Sequence, residues 1–432
     1  MNTLKNVHGK TMENKSKTFC VMPFVHQNLK QEGRVTACWR AQGDLGNNNK
    51  KTLTEIFNSE ETKELRRAVL NNERPEGCRS CWDAEDSGVD STRLQTLTNW
   101  DVVDNQLSFT DGEAPKEGAA ALEQCVLEQV NDDYSFPIKN LKSIEVRFDN
   151  ICNLMCRHCS PDYSSKWEAA VKKDYTLMNQ MRKYGTYRKS TKHVSLTDSI
   201  IDEVVALAPN LKEILIAGGE PLYHDKHYDF IEKLLPYAKN IKLSYNTNLT
   251  TLTHKGKNIL DLWKKFKKVE VRVSIDADPS CYSYVRTNND LNNIEQNIFK
   301  VSYLKNVILS ATCTTSMLNI TRFPAIAKYF NSLGVKFHCS IVQYPECLNP
   351  KVLPAPLKQQ VTTEWNTCLN DLKDSKDFSR IQSRGQKVID YMNSQQLDKF
   401  DDFIEYSKSL DKYHNTNLFS VYPEFKPFTS SF

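Results

Sequence analysis

The sequence predicts an α/β protein: an open, partial (β/α)6 barrel of TIM-like type, or else a doubly wound sheet. A small irregular N-terminal module precedes it and a helical C-terminal region follows. From Leu141 onward, six short β-rich runs alternate with helical patterns, as parallel strands joined by right-handed crossovers do. Residues 1–100 are irregular and hold four cysteines, residues 101–140 read as an acidic linker, residues 141–345 as the barrel, and residues 346–432 as polar and mostly helical.

Taken in order, residues 53–70 carry Leu53, Ile56, Phe57, Leu65 and Val69 at roughly helical spacing, which predicts one helix. Residues 101–133 hold nine acids against one lysine, with one short helix expected over Ala119–Val130. The strand candidates are Ser143–Phe148, Glu213–Ala217, Ile241–Tyr245, Val269–Ile275, Val307–Thr312 and Lys336–Val342. Helices are expected near Tyr163–Val171, His227–Ala238, Lys257–Phe266, Asn292–Leu304 and Phe323–Leu333. In either sheet architecture the working end lies at the carboxyl ends of the strands.

Composition narrows the function classes. With 57 Lys+Arg against 53 Asp+Glu the net charge is +4, too mild to argue for nucleic acid as a partner. No apolar run is long enough for a membrane span, and the polar opening, Met1 to Lys17, lacks a signal-peptide core. The expectation is a cytoplasmic protein. In a reducing compartment, 13 cysteines point to metal or catalysis rather than to disulfides.

Cys152, Cys156 and Cys159 stand in the spacing CxxxCxxC directly after the first barrel strand. At this cysteine frequency the number of such triplets expected by chance is about 0.01. Three thiolates on one loop can hold three irons of a 4Fe–4S cube and leave the fourth open to chelate a small molecule. Zinc is the alternative, but structural zinc wants four ligands, and His158 sits too close in sequence to supply the fourth.

This triplet is the signature of the radical S-adenosylmethionine (radical SAM) superfamily, which residues 141–345 resemble. His158 fills the family's aromatic slot before the last cysteine, where the ring lies beside the adenine. Gly218-Gly219-Glu220-Pro221 resembles the family's GGEP motif at the second strand end. The resemblance implies close backbone approach to the ligand, with Glu220 accepting from the methionyl ammonium. Asn246 and Asn248, in Tyr245-Asn246-Thr247-Asn248, end the third strand. Ser274 and Asp276 end the fourth, where the family places polar groups on the ribose hydroxyls. Arg286 resembles the family's carboxylate-binding arginine.

Cys20, Cys38, Cys78 and Cys81 form a second set. Cys20-Val-Met-Pro-Phe24, Gly33 to Cys38, Leu53-Thr-Glu-Ile56 and the Cys78/Cys81 pair resemble a SPASM/twitch module, whose four cysteines hold an auxiliary 4Fe–4S cluster. Such a module usually follows the barrel, whereas here it precedes it. The cysteines for a second auxiliary cluster are missing, with Ser87 where one is expected, so one auxiliary cluster is implied. A four-thiolate zinc knob is the alternative. Trp39 and Trp82, each directly after a cysteine, either shield sulfur or fill a small core.

Cys125, Cys281, Cys313, Cys339, Cys347 and Cys368 read as ordinary buried thiols, with Cys347 the one placed to face a substrate. The basic stretch 182–192 reads as a solvated insertion, and Lys264, Lys265, Lys267 and Lys268 as cations closing a helix. The resemblance implies reductive cleavage of S-adenosylmethionine to a 5′-deoxyadenosyl radical that takes a hydrogen from a substrate, together with a reductant such as a flavodoxin or ferredoxin. By analogy the substrate is a peptide or protein. The alternatives are a small molecule such as a sugar or nucleotide, or a non-catalytic iron–sulfur or zinc scaffold.

Overall fold

The computed structural model describes residues 17–429 apart from 87, 89, 90, 111–115, 117, 188–194 and 288. Most of the polar opening, Ser87 and the second half of the basic stretch 182–192 lie outside the described residues. One nine-stranded sheet organises the chain. In chain order its strands are β1 (His26–Leu29), β2 (Arg34–Thr36), β3 (Gly46–Asn47), β4 (Ser143–Arg147), β5 (Glu213–Ala217), β6 (Lys242–Thr247), β7 (Lys268–Ser274), β8 (Val307–Thr315) and β9 (Lys336–Ile341). Their spatial order is β9-β8-β7-β6-β5-β4-β1-β2-β3. The six strands β4 to β9 follow one another in sequence and are all parallel, which is the partial barrel. The doubly wound alternative would require the strand order to reverse, and it does not.

The N-terminal module is continuous with this sheet. β1 pairs parallel with β4, His26 opposite Ser143, and β2 and β3 add antiparallel strands beyond it. Residues 53–70 form two helices, Leu53–Phe57 and Glu60–Leu70, in place of the single one expected. Thr52 caps the first in a reciprocal box with Glu55, and Ser59 caps the second by accepting from the Thr62 N–H. Residues 101–140 hold a hairpin, Trp100–Val103 with Gln106–Phe109, and the helix Ala119–Gln129, whose Leu122, Cys125 and Val126 join the core.

Strand alternation gives the barrel two unlike faces. Leu243, Tyr245, Val269, Val271 and Val273 are buried beneath the surrounding helices. Their neighbours point into the lumen, which is polar: Lys242 Nζ lies 3.3 Å from Glu213 and 2.8 Å from Glu270, and Arg147 lies beside Glu145. The C-terminal region is helical as expected, over Ala355–Leu372, Phe378–Asn393 and Phe400–His414. No helix among the described residues is long and apolar enough to cross a membrane.

Candidate functional site

The cysteine loop leaves the carboxyl end of β4 and is fixed from three sides. Met155–Cys156 pairs antiparallel with Arg286–Thr287, which ties the loop to the segment after β7. Gly218 and Gly219, at the end of β5, close the second side. Gly219 has φ +52°, and a Cβ there would stand 2.3 Å from the Ile151 carbonyl oxygen. Only glycine lets the two loops approach this closely, and the Glu220 N–H donates to that oxygen at 2.7 Å. On the third side, the Asn248 amide donates to Asn153 Oδ1 at 2.8 Å and Asn153 donates to Thr250 Oγ1 at 2.8 Å.

The C-terminal region braces the same loop. Arg157, fully buried between Cys156 and Cys159, donates to the Tyr284 carbonyl at 2.8 Å and pairs with Asp411 at 2.9 Å. Its guanidinium lies 3.7 Å from the centre of the Tyr284 ring, and Tyr406 donates to the Arg157 carbonyl. Trp167 donates to the Cys156 carbonyl at 3.0 Å and packs against Tyr413 and His414. Sequence reasoning missed Asn153, Arg157, Trp167, Thr247 and Asp411. The available signal was the arginine inside the triplet, because a charge at that position needs a partner from elsewhere in the chain.

Two of the residues expected at the ligand are engaged within the chain. Glu220 is buried, and its carboxylate accepts from the Leu222 N–H at 3.0 Å, Thr247 Oγ1 at 2.6 Å and the Asn248 N–H at 2.6 Å. Burial pushes its carboxyl above the usual range, against those donors. These bonds lock the ends of β5 and β6 together. Asp276, fully buried, accepts from Arg286 and from the Thr314 N–H at 2.7 Å, and lies 3.2 Å from His158 Nε2. Burial would raise its carboxyl, but His158 and Arg286 hold it below the usual range. Asp276 thus positions both His158 and Arg286.

The buried atoms around the loop without a hydrogen-bond partner among the described residues include His158 Nδ1, Arg286 Nε, Thr287 Oγ1 and Arg157 Nη1. Asn246 is exposed and Ser274 half-buried, both on the lumen face, while Pro221 starts a buried turn. Cys152, Cys156 and Cys159 act on one another electrostatically. Burial pushes the Cys152 thiol up to about 12, with Cys156 adding to it, and raises Cys156 and Cys159 as well. Of the remaining cysteines, Cys125, Cys281, Cys313, Cys347 and Cys368 are buried and Cys339 half-buried. Cys347 is only 3 % exposed, which removes it from reach of a substrate.

The second cysteine set also converges. Cys20, Cys38, Cys78 and Cys81 line one cavity together with Trp82 and with Arg93, which pairs with Glu85 at 2.6 Å. Burial pushes Cys38 up to about 11 and Cys78 up to about 12, and burial and then Cys38 raise Cys20. Trp82 is buried there, whereas Trp39 is 37 % exposed, its ring edge-on to that of His26. Among the described residues, no three Cys, His, Asp or Glu side chains converge on one ion.

Two family models match the chain. A family model described as the radical SAM superfamily matches residues 146–335, and one described as an iron–sulfur cluster-binding domain, SPASM, matches residues 20–82. No curated protein matches the chain. Among solved structures, a histidine-tagged anSMEcpe with bound AdoMet is similar at 17% identity, over 59% of this chain and 62% of that one, with a TM-score of 0.34. The match thus spans less than two thirds of that protein's length. The cofactors that these families imply are a 4Fe–4S cluster with S-adenosylmethionine and an auxiliary iron–sulfur cluster. Three thiols beside a glycine cradle, with unpartnered buried nitrogens on His158 and Arg286, fit the first pair, and four thiols lining one cavity fit the other.

Proposed function

We propose that this chain, which matches the radical SAM superfamily model over residues 146–335 and carries a SPASM-type cluster module ahead of its barrel, removes a hydrogen atom from a peptide or protein segment entering the open side of the barrel. The observation that carries this reading is the convergence of the segments after β5, β6 and β7 on the β4 loop that bears Cys152, Cys156 and Cys159. When bound, the cluster supplies the single electron that cleaves the sulfonium of S-adenosylmethionine, so a one-electron reductant is also required.

The chain's own residues bind and orient the ligand. Gly218 and Gly219 hold backbone close to the ligand, and Glu220 keeps the neighbouring strand ends in register. Arg286, held by Asp276, presents its remaining N–H donors to a carboxylate. The cysteine loop, braced by Arg157 and Trp167, holds its thiols in fixed positions. Cys20, Cys38, Cys78 and Cys81 would hold the auxiliary cluster, which would serve electron transfer. Supporting a macromolecular substrate, the sheet does not close on itself: β9 and β3 are both edges, which leaves the lumen laterally open. The polar lumen side chains Asn246, Arg272 and Ser274 favour polar groups on whatever enters.

The test uses deuterium. An extract of cells grown in deuterated medium is separated into macromolecular and small-molecule fractions, and each is incubated with reduced, reconstituted protein and S-adenosylmethionine. Deuterium appearing in 5′-deoxyadenosine from the macromolecular fraction supports the proposal. Deuterium from the small-molecule fraction alone replaces it with small-molecule chemistry.

A further inference from the structure

At the end of the barrel opposite the cysteine triplet lies a cavity of about 470 Å³ whose charge no part of the mechanism uses. It is lined by Lys142, Lys212, Lys239, Lys242 and Lys267 and walled by the hairpin 100–109, whose Asp104 is the single acid of the lining among the described residues. The register explains how they meet. Lys142 and Lys212 immediately precede β4 and β5, Lys242 opens β6 and Lys267 precedes β7. Ser143, Glu213 and Lys242 are successive partners across the sheet, so the strand origins lie side by side. The Lys212 N–H donates to the Lys142 carbonyl at 2.7 Å, and the Lys242 N–H to the Lys212 carbonyl at 2.9 Å.

The amino-terminal face of a barrel ordinarily serves stability, and stability alone does not gather ammonium groups from four strands. Lys242 is neutralised from inside by Glu213 and Glu270, but Lys142, Lys212 and Lys239 have no carboxylate partner among the described residues. Burial, followed by repulsion from Lys212 and Lys139, lowers the Lys142 ammonium from its ordinary value. A flat basic surface would let such side chains diverge into water. Here they face a concavity within the size range of small-ligand pockets, roughly 300–1,000 Å³, beside the aromatic ring of Phe109.

We infer that this cavity binds a small ligand carrying several phosphate groups, at a site separate from the cysteine loop. Two sources share that chemistry, a nucleoside triphosphate and an inorganic polyphosphate. The concavity favours either over an extended nucleic acid, which would track along a groove.

The experiment titrates the full, anaerobically reconstituted chain with inorganic tripolyphosphate and with ATP by calorimetry, at low and at physiological salt. Binding of either that weakens with salt is expected. Lys212→Glu/Lys239→Glu, both exposed, should weaken it about 10- to 100-fold. A charge-matched control, Lys373→Glu/Lys376→Glu in the C-terminal region, should leave it within about twofold. Tighter binding of ATP assigns a nucleotide, and equal binding assigns the phosphate chain alone. No binding of either below millimolar concentration overturns the inference, as does equal loss in both double variants. So does a single-stranded oligonucleotide binding more tightly than both probes, since that would make the face a nucleic-acid surface.

Discussion

Gly219→Ala is the sharpest probe of how the site is built. The added Cβ would stand 2.3 Å from the Ile151 carbonyl oxygen and 2.9 Å from the Asn150 carbonyl carbon, where ordinary contact begins at 3.4 Å. Both are backbone atoms, so no rotamer relieves the clash, and one loop must shift by about 1 Å. At φ +52° alanine also costs about 1 kcal/mol in the left-handed region. Losing the hydrogen bond from Glu220 N to Ile151 O costs about 1 kcal/mol. Overpacking against a braced loop adds about 1–3 kcal/mol. The sum is about 4 kcal/mol. Gly334→Ala isolates the conformational part: φ is +65°, but nothing lies within 4 Å, so about 1 kcal/mol is expected. Guanidinium unfolding of both variants under anaerobic conditions reads the difference, about 3 kcal/mol. The same displacement should slow 5′-deoxyadenosine formation about 100-fold in the first variant alone. If the two variants lie within about 1 kcal/mol of each other, the loops do not depend on the close approach and the site's construction has been misread.

Replacing Cys152, Cys156 and Cys159 together by alanine should abolish 5′-deoxyadenosine formation, and production at the parent rate would remove the triplet from the chemistry. Mutating Cys78 and Cys81 together should halve the iron content while leaving uncoupled cleavage of S-adenosylmethionine largely intact and stopping substrate turnover. Retention of all the iron would disprove the four-thiol site. Glu220→Ala leaves the Leu222 and Asn248 N–H groups and the Thr247 hydroxyl without their acceptor, so a loss of about 3–5 kcal/mol is expected on denaturant titration; a loss under about 1 kcal/mol would contradict its locking role. His227, donating to or accepting from Tyr245 Oη at 2.9 Å, is lowered by burial to about 3 from an ordinary 6.5. Only the unfolded chain takes up that proton between pH 6.5 and 3, so stability is complete above 6.5 and falls with pH below it. His227→Phe should therefore lose about 2 kcal/mol less than the parent between pH 7 and pH 5. Identical pH slopes in the two proteins would show that His227 is not buried as a neutral ring.

The six barrel strands were legible because their period is local: β-branched runs bounded by turns read the same whatever they pair with. The triplet was legible because its spacing is rare by chance, and the glycine pair because Gly-Gly-Glu-Pro stands out directly after an apolar strand run. Pairing between distant segments was not. Nothing in the run 26–29 announces that it will lie parallel to a strand more than 100 residues on, and the acids of residues 101–133 concealed a hairpin whose Trp100 and Leu107 are buried. The break between the two helices of residues 53–70 was visible in Thr52 and Ser59, but the apolar period runs through it. Glu220 and Asp276 were located, yet their partners within the chain were not, since those donors are brought from β6, β8 and the segment after β7.

The position of the cluster module follows from which sheet edge is available. A strand added after β9 would need that strand's free backbone groups, but Asp377, at the start of the helix Phe378–Asn393, accepts from the Phe337 N–H at 2.7 Å, and the helix covers that edge. The β4 edge is open to a strand arriving from the N-terminus. β1 takes it, with the Lys142 N–H donating to the Val25 carbonyl just before the ladder begins. β2 then turns back antiparallel and delivers Cys38 beside the barrel interior, where Glu145 of β4 is among the groups that raise its thiol. Carrying the module on the N-terminal side thus still places it against the barrel, because a sheet edge is indifferent to whether its new strand comes earlier or later in the chain. Both edges are occupied as a result, one by the cysteine module and the other by a helix.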